Sequence, residues 1–150
     1  AEEFGYRGLK LHQILAQALD DTHATPAAEA EWRATLEIDP EYTDALDSLS
    51  DDLLADHNNK GVIELLDKPR VVPQRTVRQA MNLGKAYALE AKLEDAQRIL
   101  RDAVNTYPDD VPLATQLAEV LTRSGKKEEA DAVLRIVNAR HAGGSESEAR

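Results

Sequence analysis

Ala80-Met81-Asn82-Leu83-Gly84-Lys85-Ala86-Tyr87, followed by Ala96, Leu100, Ala103 and Pro108, is the stretch on which the fold turns. Moved 34 positions along the chain, the pattern returns. Leu83 falls on Leu117, Tyr87 on Leu121 and Ala91 on Gly125; Ala96 falls on Ala130, Leu100 on Leu134 and Ala103 on Val137. Within each copy apolar residues recur every three or four positions, which is the spacing of one helix face. Val77 to about Ala91 and Leu93 to about Thr106 read as one helix pair, and Val111 to Ser124 with Lys127 to Arg140 as the next. Gly84 and Ala96 are small where paired helices must approach closely. A fixed period of this length marks stacked helix-turn-helix units.

The punctuation agrees. Tyr107-Pro108-Asp109-Asp110 is a break, with Asp110 placed to cap the following helix. Gly125 stands where a helix-ending left-handed residue is wanted. Two periods before Pro108 lies Pro40, preceded by Ala28, Trp32 and Thr35 at the offsets of a second helix. Its first helix is expected over roughly Leu9 to Asp20, with Leu11, Ile14, Leu15 and Leu19 as apolar positions. A further unit starts near Glu41, with Leu46, Leu49 and Leu53 on its buried face. Its second helix, about Asn59 to Asp67, is cut short by Pro69, which lacks a backbone donor and clashes with the preceding turn. Arg70 to Thr76, containing Pro73, is then an irregular joint with a local kink or offset. Gly143 to Arg150 has nothing large and apolar to anchor it and is expected to be mobile.

On these residues the chain resembles the tetratricopeptide repeat family. Residues 80–108 match its signature closely and 111–140 match apart from the final proline, while 9–40 match in the second half and 41–74 weakly. Ala80 stands for the family's aromatic and Ala91 for its glycine. The resemblance implies an all-α fold: a right-handed superhelical array of antiparallel helix pairs, an α-solenoid of about four repeats. Repeats are expected at 9–42, 43–76, 77–110 and 111–142 within a domain spanning 1–142, followed by the polar tail at 143–150. It also implies a concave face lined by the first helix of each repeat, which binds peptides or protein surfaces.

Composition narrows the function. The chain has 150 residues, 42% of them hydrophobic and only 4% aromatic, so Ala, Leu and Val must fill the core. The formal charge of −10 argues against nucleic acid and anionic membrane, because binding phosphate needs Lys and Arg to displace counterions. With no cysteine there is no disulfide, thiolate chemistry or Cys-ligated zinc. No apolar run approaches the length of a membrane span. A soluble protein is expected, the cytoplasm favoured over the periplasm. Ala1-Glu2-Glu3-Phe4 lacks an initiator Met and reads as the cut end of a larger protein or a processed terminus.

If the family's groove-facing offsets carry over, the first repeat presents Gln13, Gln17 and Asp20 and the second Asp44, Asp47 and Asp51. The third presents Arg78, Asn82 and Lys85, and the fourth Gln116, Glu119 and Arg123. Asp44, Asp47 and Asp51 fall on one helical stripe, where clustered carboxylates suit a basic or amine-bearing peptide. The plainer reading is a solvated face of an acidic protein. Arg78, Asn82 and Lys85 could take an acidic group or a C-terminal carboxylate. The family's chaperone-binding members clamp a carboxylate with Lys, Asn and Arg side chains from several repeats; aspartates in the second repeat argue against that clamp.

Nothing points to catalysis, a metal or a cofactor. His12, His23, His57 and His141 have no helical metal-site spacing, and the serines lie in no nucleophile elbow. Trp32 occupies a buried offset and reads as core. The chain is therefore read as a non-catalytic interaction module, recruiting a protein or peptide. Two alternatives stand beside it: a structural unit self-associating through an exposed last helix with Val133, Leu134 and Val137, and an accessory repeat domain of a larger enzyme.

Overall fold

The computed structural model describes residues 2–21, 25–69 and 75–148, with side chains from 5 to 144 among them. These form eight α-helices and no strand. They divide into two compact units, residues 1–73 and 74–150. Unit 1 holds α1 (Glu2–Asp21), α2 (Thr25–Ile38), α3 (Thr43–Ala55) and α4 (Asn59–Leu66). Unit 2 holds α5 (Val77–Leu89), α6 (Leu93–Thr106), α7 (Val111–Arg123) and α8 (Lys127–Glu148). In each, successive helices pack on one another, and in unit 2 α5 also touches α7.

The period is visible in how helices end. After α3, α5 and α7, a single residue turns left-handed: His57 (φ 59°), Ala91 (φ 58°) and Gly125 (φ 78°), each 34 positions from the last. The next amide then donates back to the helix: Asn58 to the Leu53 carbonyl at 2.8 Å, Lys92 to Tyr87 and Lys126 to Leu121, both at 2.9 Å. This pairing satisfies carbonyls left over at a helix C-terminus and reverses the chain. Only Gly125 adopts that backbone without strain, and His57 and Ala91 hold it because the turn is over-determined on both sides.

Helix starts are equally local. The side chains of Thr76 and Asp110 accept from the amides of Gln79 (3.1 Å) and Leu113 (2.9 Å), capping α5 and α7, and Asn58 caps α4 through Gly61 (3.0 Å). The packing repeats too. Ala16 with Ala28, Ser50 with Val62, Gly84 with Ala96 and Ala118 with Ala130 are buried in the four pairs. Trp32, Leu66 and Leu100 fill the adjoining space, each at most 1% exposed, and Leu134 is half-buried at the same offset. α4 is short, as Pro69 dictates.

Three expectations need correction. α1 begins at Glu2, well before Leu9, because no proline intervenes. Its apolar positions Leu11, Ile14 and Leu15 are exposed, while Ala16 with half-buried Leu19 and His12 faces inward. α8 does not stop at Arg140 but continues through Gly143 and Gly144 to Glu148, since propagating a nucleated helix gains a bond per residue. Residues 70–74, most of the expected joint, and His23 lie outside the described residues, as do 149–150. On the last helix Val137 is buried, Val133 and Leu134 are half-buried, and Ile136 is 55% exposed, so part of its apolar surface is open.

Candidate functional site

In unit 2 the first helices of two repeats, α5 and α7, border a groove of about 670 Å³. α5 contributes Met81, Lys85, Ala88 and Leu89, spaced to line one face. α7 contributes Thr115, Gln116, Glu119, Val120 and Arg123, with Val111 and Pro112 at its start. The groove is held open by two side chains from α7 that donate to α5 carbonyls. Gln116 Nε2 reaches the Met81 oxygen at 2.8 Å, and an Arg123 Nη reaches the Ala88 oxygen at 3.0 Å. Arg123 therefore satisfies a carbonyl in the last turn of α5 while its charge borders the groove.

Beyond α7 the same unit is stiffened by a polar relay centred on one buried side chain. Gln97, 6% exposed, donates to Ser124 Oγ at 2.7 Å and accepts from Lys126 Nζ at 2.9 Å. A satisfied network of this kind in a small core fixes the relative placement of α6 and α7. That placement in turn fixes the groove.

Of the residues expected at a groove, Lys85, Glu119 and Arg123 come together here, with Gln116. Arg78 and Asn82 are on α5 but do not line it. Asp44, Asp47 and Asp51 belong to α3 in unit 1; Asp44 lies exposed in the first turn and the other two are half-buried. Sequence reasoning missed Met81, Leu89, Val111 and Pro112. Their signal was present: Met81, Lys85 and Leu89 are four apart, and Leu89, 54% exposed, is a large apolar residue with no place in the core stripe.

Unit 1 holds a second feature with no warning in the sequence. Asp52, not its neighbour Asp51, has a buried carboxylate oxygen without a hydrogen-bond partner among the described residues. Burial first, then the charges of Asp20, Glu29 and Asp56, push its pKa up to about 6. Among the described residues no cluster of His, Asp and Glu is arranged to hold a metal ion.

The sign of the pH effect follows. Unfolded Asp52 loses its proton near pH 4, whereas the folded form keeps it to about 6. Between these values the native state binds more protons, so this group's contribution to stability falls as pH rises and is flat above the upper value. Asp52→Asn is expected to stabilise unit 1 at pH 7.5 by about 1 kcal/mol, after allowing for solvent screening of a half-exposed group. The gain should vanish toward pH 4. Urea titrations followed by fluorescence of Trp32, the only tryptophan, read this out; an equal gain at both pH values would refute it.

No family model matches this chain, and no curated protein matches it in sequence. Solved structures do match in fold. A crystal structure of MamA superposes with a TM-score of 0.79 at 12% identity, covering 92% of this chain and 81% of that one. MamA from Desulfovibrio magneticus RS-1, from its residue 41 onward, gives 0.71 at 20% identity, over 86% and 72%. YrrB, described as a TPR protein with an unusual peptide-binding site, gives 0.70 at 19% identity, over 85% and 66%. At such identities the likeness concerns the fold. Among the described residues no helix is long and apolar enough to cross a membrane.

Proposed function

We propose, from the tetratricopeptide-repeat fold of this chain, that it is a non-catalytic interaction module whose α5–α7 groove takes an extended peptide. The observation that carries this reading is the groove's make-up. An apolar floor of Met81, Leu89, Val111 and Val120 is flanked by Lys85 and Arg123, with Glu119 alongside. In a chain of net charge −10, that is a local excess of positive charge beside exposed apolar surface. It suits a peptide with an apolar side chain next to a carboxylate, while Glu119 can accept from a peptide N–H. The peptide-binding site described for the neighbour YrrB supports a ligand of this class. A second reading places a basic peptide on α3, on the shared stripe of Asp44, Asp47 and Asp51.

Panning a random displayed peptide library against the whole chain separates the two. Peptides that bind the native chain are expected to lose roughly tenfold or more in affinity with Lys85→Glu, Leu89→Gln, since burying a leucine contributes about 1.5–3 kcal/mol. Both side chains are exposed, so the helices should be unaffected. The same peptides should tolerate Asp44→Lys, Asp47→Lys, Asp51→Lys. If the acidic triplet matters and the groove pair does not, the site moves to α3. Peptides indifferent to both sets would remove both assignments.

A further inference from the structure

The most exposed run of large apolar side chains lies on α1. Leu11 and Ile14 are each 56% exposed, Leu15 is 41% exposed, and Ala18 joins them on one stripe opposite Ala16. The spacing of 11, 14, 15 and 18 is that of an amphipathic helix whose apolar side meets another helix. The same register is seen in α7, three periods on: Leu113, Leu117 and Val120 occupy the positions of Leu11, Leu15 and Ala18. There they are at most 3% exposed, and α7 packs between α6 and α8. So α1 carries the residues of an internal helix on a face where unit 1 leaves them in solvent. Exposed apolar stripes of this kind mark association sites.

The charges beside the stripe indicate what covers it. Arg7 and Lys10 are exposed toward the start of α1, and Asp21 is exposed at its end. Arg7 and Asp21 lie seven residues either side of Ile14, on the same flank of the stripe. If a second α1 is laid antiparallel and centred on Ile14, Arg7 of each copy meets Asp21 of the other. Leu11 then lies beside Ala18, and Ile14 packs on Ile14 and Leu15. The helix dipoles also oppose favourably. The stripe is thus self-complementary about a two-fold axis, as an isologous dimer requires.

Head-to-tail stacking on the side of α8 that carries Leu134 is a poor alternative. A shallow hollow on that helix is lined by Glu128, Asp131, Arg135 and Asn138 around half-buried Leu134, a solvated face with little to offer four apolar side chains.

We infer that α1 is a homodimerisation face, pairing antiparallel with α1 of a second copy through Leu11, Ile14, Leu15 and Ala18, with reciprocal Arg7–Asp21 ion pairs. One helix a side buries little area, so association is weak, with a dissociation constant on the order of micromolar to tens of micromolar.

Sedimentation velocity of the whole chain across about 5–500 μM tests this, with each variant's helicity checked by circular dichroism. The native chain should pass from monomer to dimer in that range, and Ile14→Asp should hold it monomeric. Arg7→Glu and Asp21→Arg should each weaken the dimer roughly tenfold by placing like charges together at two symmetric contacts. The double variant should restore it. Both reversals favour the helix dipole of α1, so loss of the dimer in either one would not reflect loss of the helix. A native chain monomeric throughout, leaving the stripe to a different protein or to a segment joined ahead of residue 1, overturns the inference. So does a dimer indifferent to Ile14→Asp, or a double reversal no tighter than the single ones.

Discussion

Trp32→Ala is expected to destabilise unit 1 by about 3–5 kcal/mol, a large fraction of what holds a small helical unit together. Trp32 is 1% exposed on α2, beside the close approach of Ala16 and Ala28, and its indole N–H donates to Asp20 Oδ2 at 3.0 Å. Truncation removes the largest buried side chain in the unit and leaves a cavity that flanking helices cannot fill. It also deprives Asp20 of its donor where Asp52 already feels acidic neighbours. Trp32→Phe separates these effects, keeping most of the volume and costing about 1–2 kcal/mol for the lost hydrogen bond and remaining void. Urea unfolding followed by circular dichroism measures both. Were Trp32 a recognition anchor and not core, truncation would change stability by no more than about 0.5 kcal/mol, and that result would reject the packing described here.

Gly84→Val should be strongly damaging to unit 2, costing about 3 kcal/mol. A Cβ at position 84 would stand 2.7 Å from both Cγ and Cδ2 of Leu100. Leu100 is fully buried, so it cannot swing aside, and α5 must move off α6. Shortening the opposing side chain offers a test by rescue. Leu100→Ala alone opens a cavity and costs about 2–5 kcal/mol, yet in combination the valine occupies part of that space. The double variant should therefore be more stable than the sum of the single losses by at least about 1 kcal/mol. Strict additivity would mean the two residues do not meet.

The same positions show why much of this fold was legible. Gly84 and Ala96, or Ala16 and Ala28, are small for a reason that recurs at three of the four pairs, Val62 being the exception, so much of the periodicity in sequence is the periodicity of a steric constraint. Asp110 and Gly125 act within a single turn, and their roles follow from residue type and immediate neighbours. His57 was harder. Nothing about a histidine announces a left-handed backbone, and only its place 34 residues before Ala91 does so.

The candidate site was half legible. Offsets picked out Lys85, Gln116, Glu119 and Arg123, which border one groove in the structure, yet not the apolar floor beneath them. Polar residues at groove offsets are conspicuous in sequence; Met81 and Leu89 look like more core. Asp51 and Asp52 are adjacent and chemically identical, and only the tertiary structure buries an oxygen of Asp52, which, with the charges of Asp20, Glu29 and Asp56, raises its pKa.

Helix pairs, their period, their caps and the short α4 were determined by the sequence itself, because each depends on contacts within a turn or on a spacing repeated along the chain. Which side of a helix is covered was decided by the tertiary structure. Leu11, Ile14 and Leu15 form an apolar stripe as regular as any in the chain, and they remain in solvent because α2 packs against the opposite side, at Ala16. Burial is a property of the neighbour that arrives, and no residue carries that information alone.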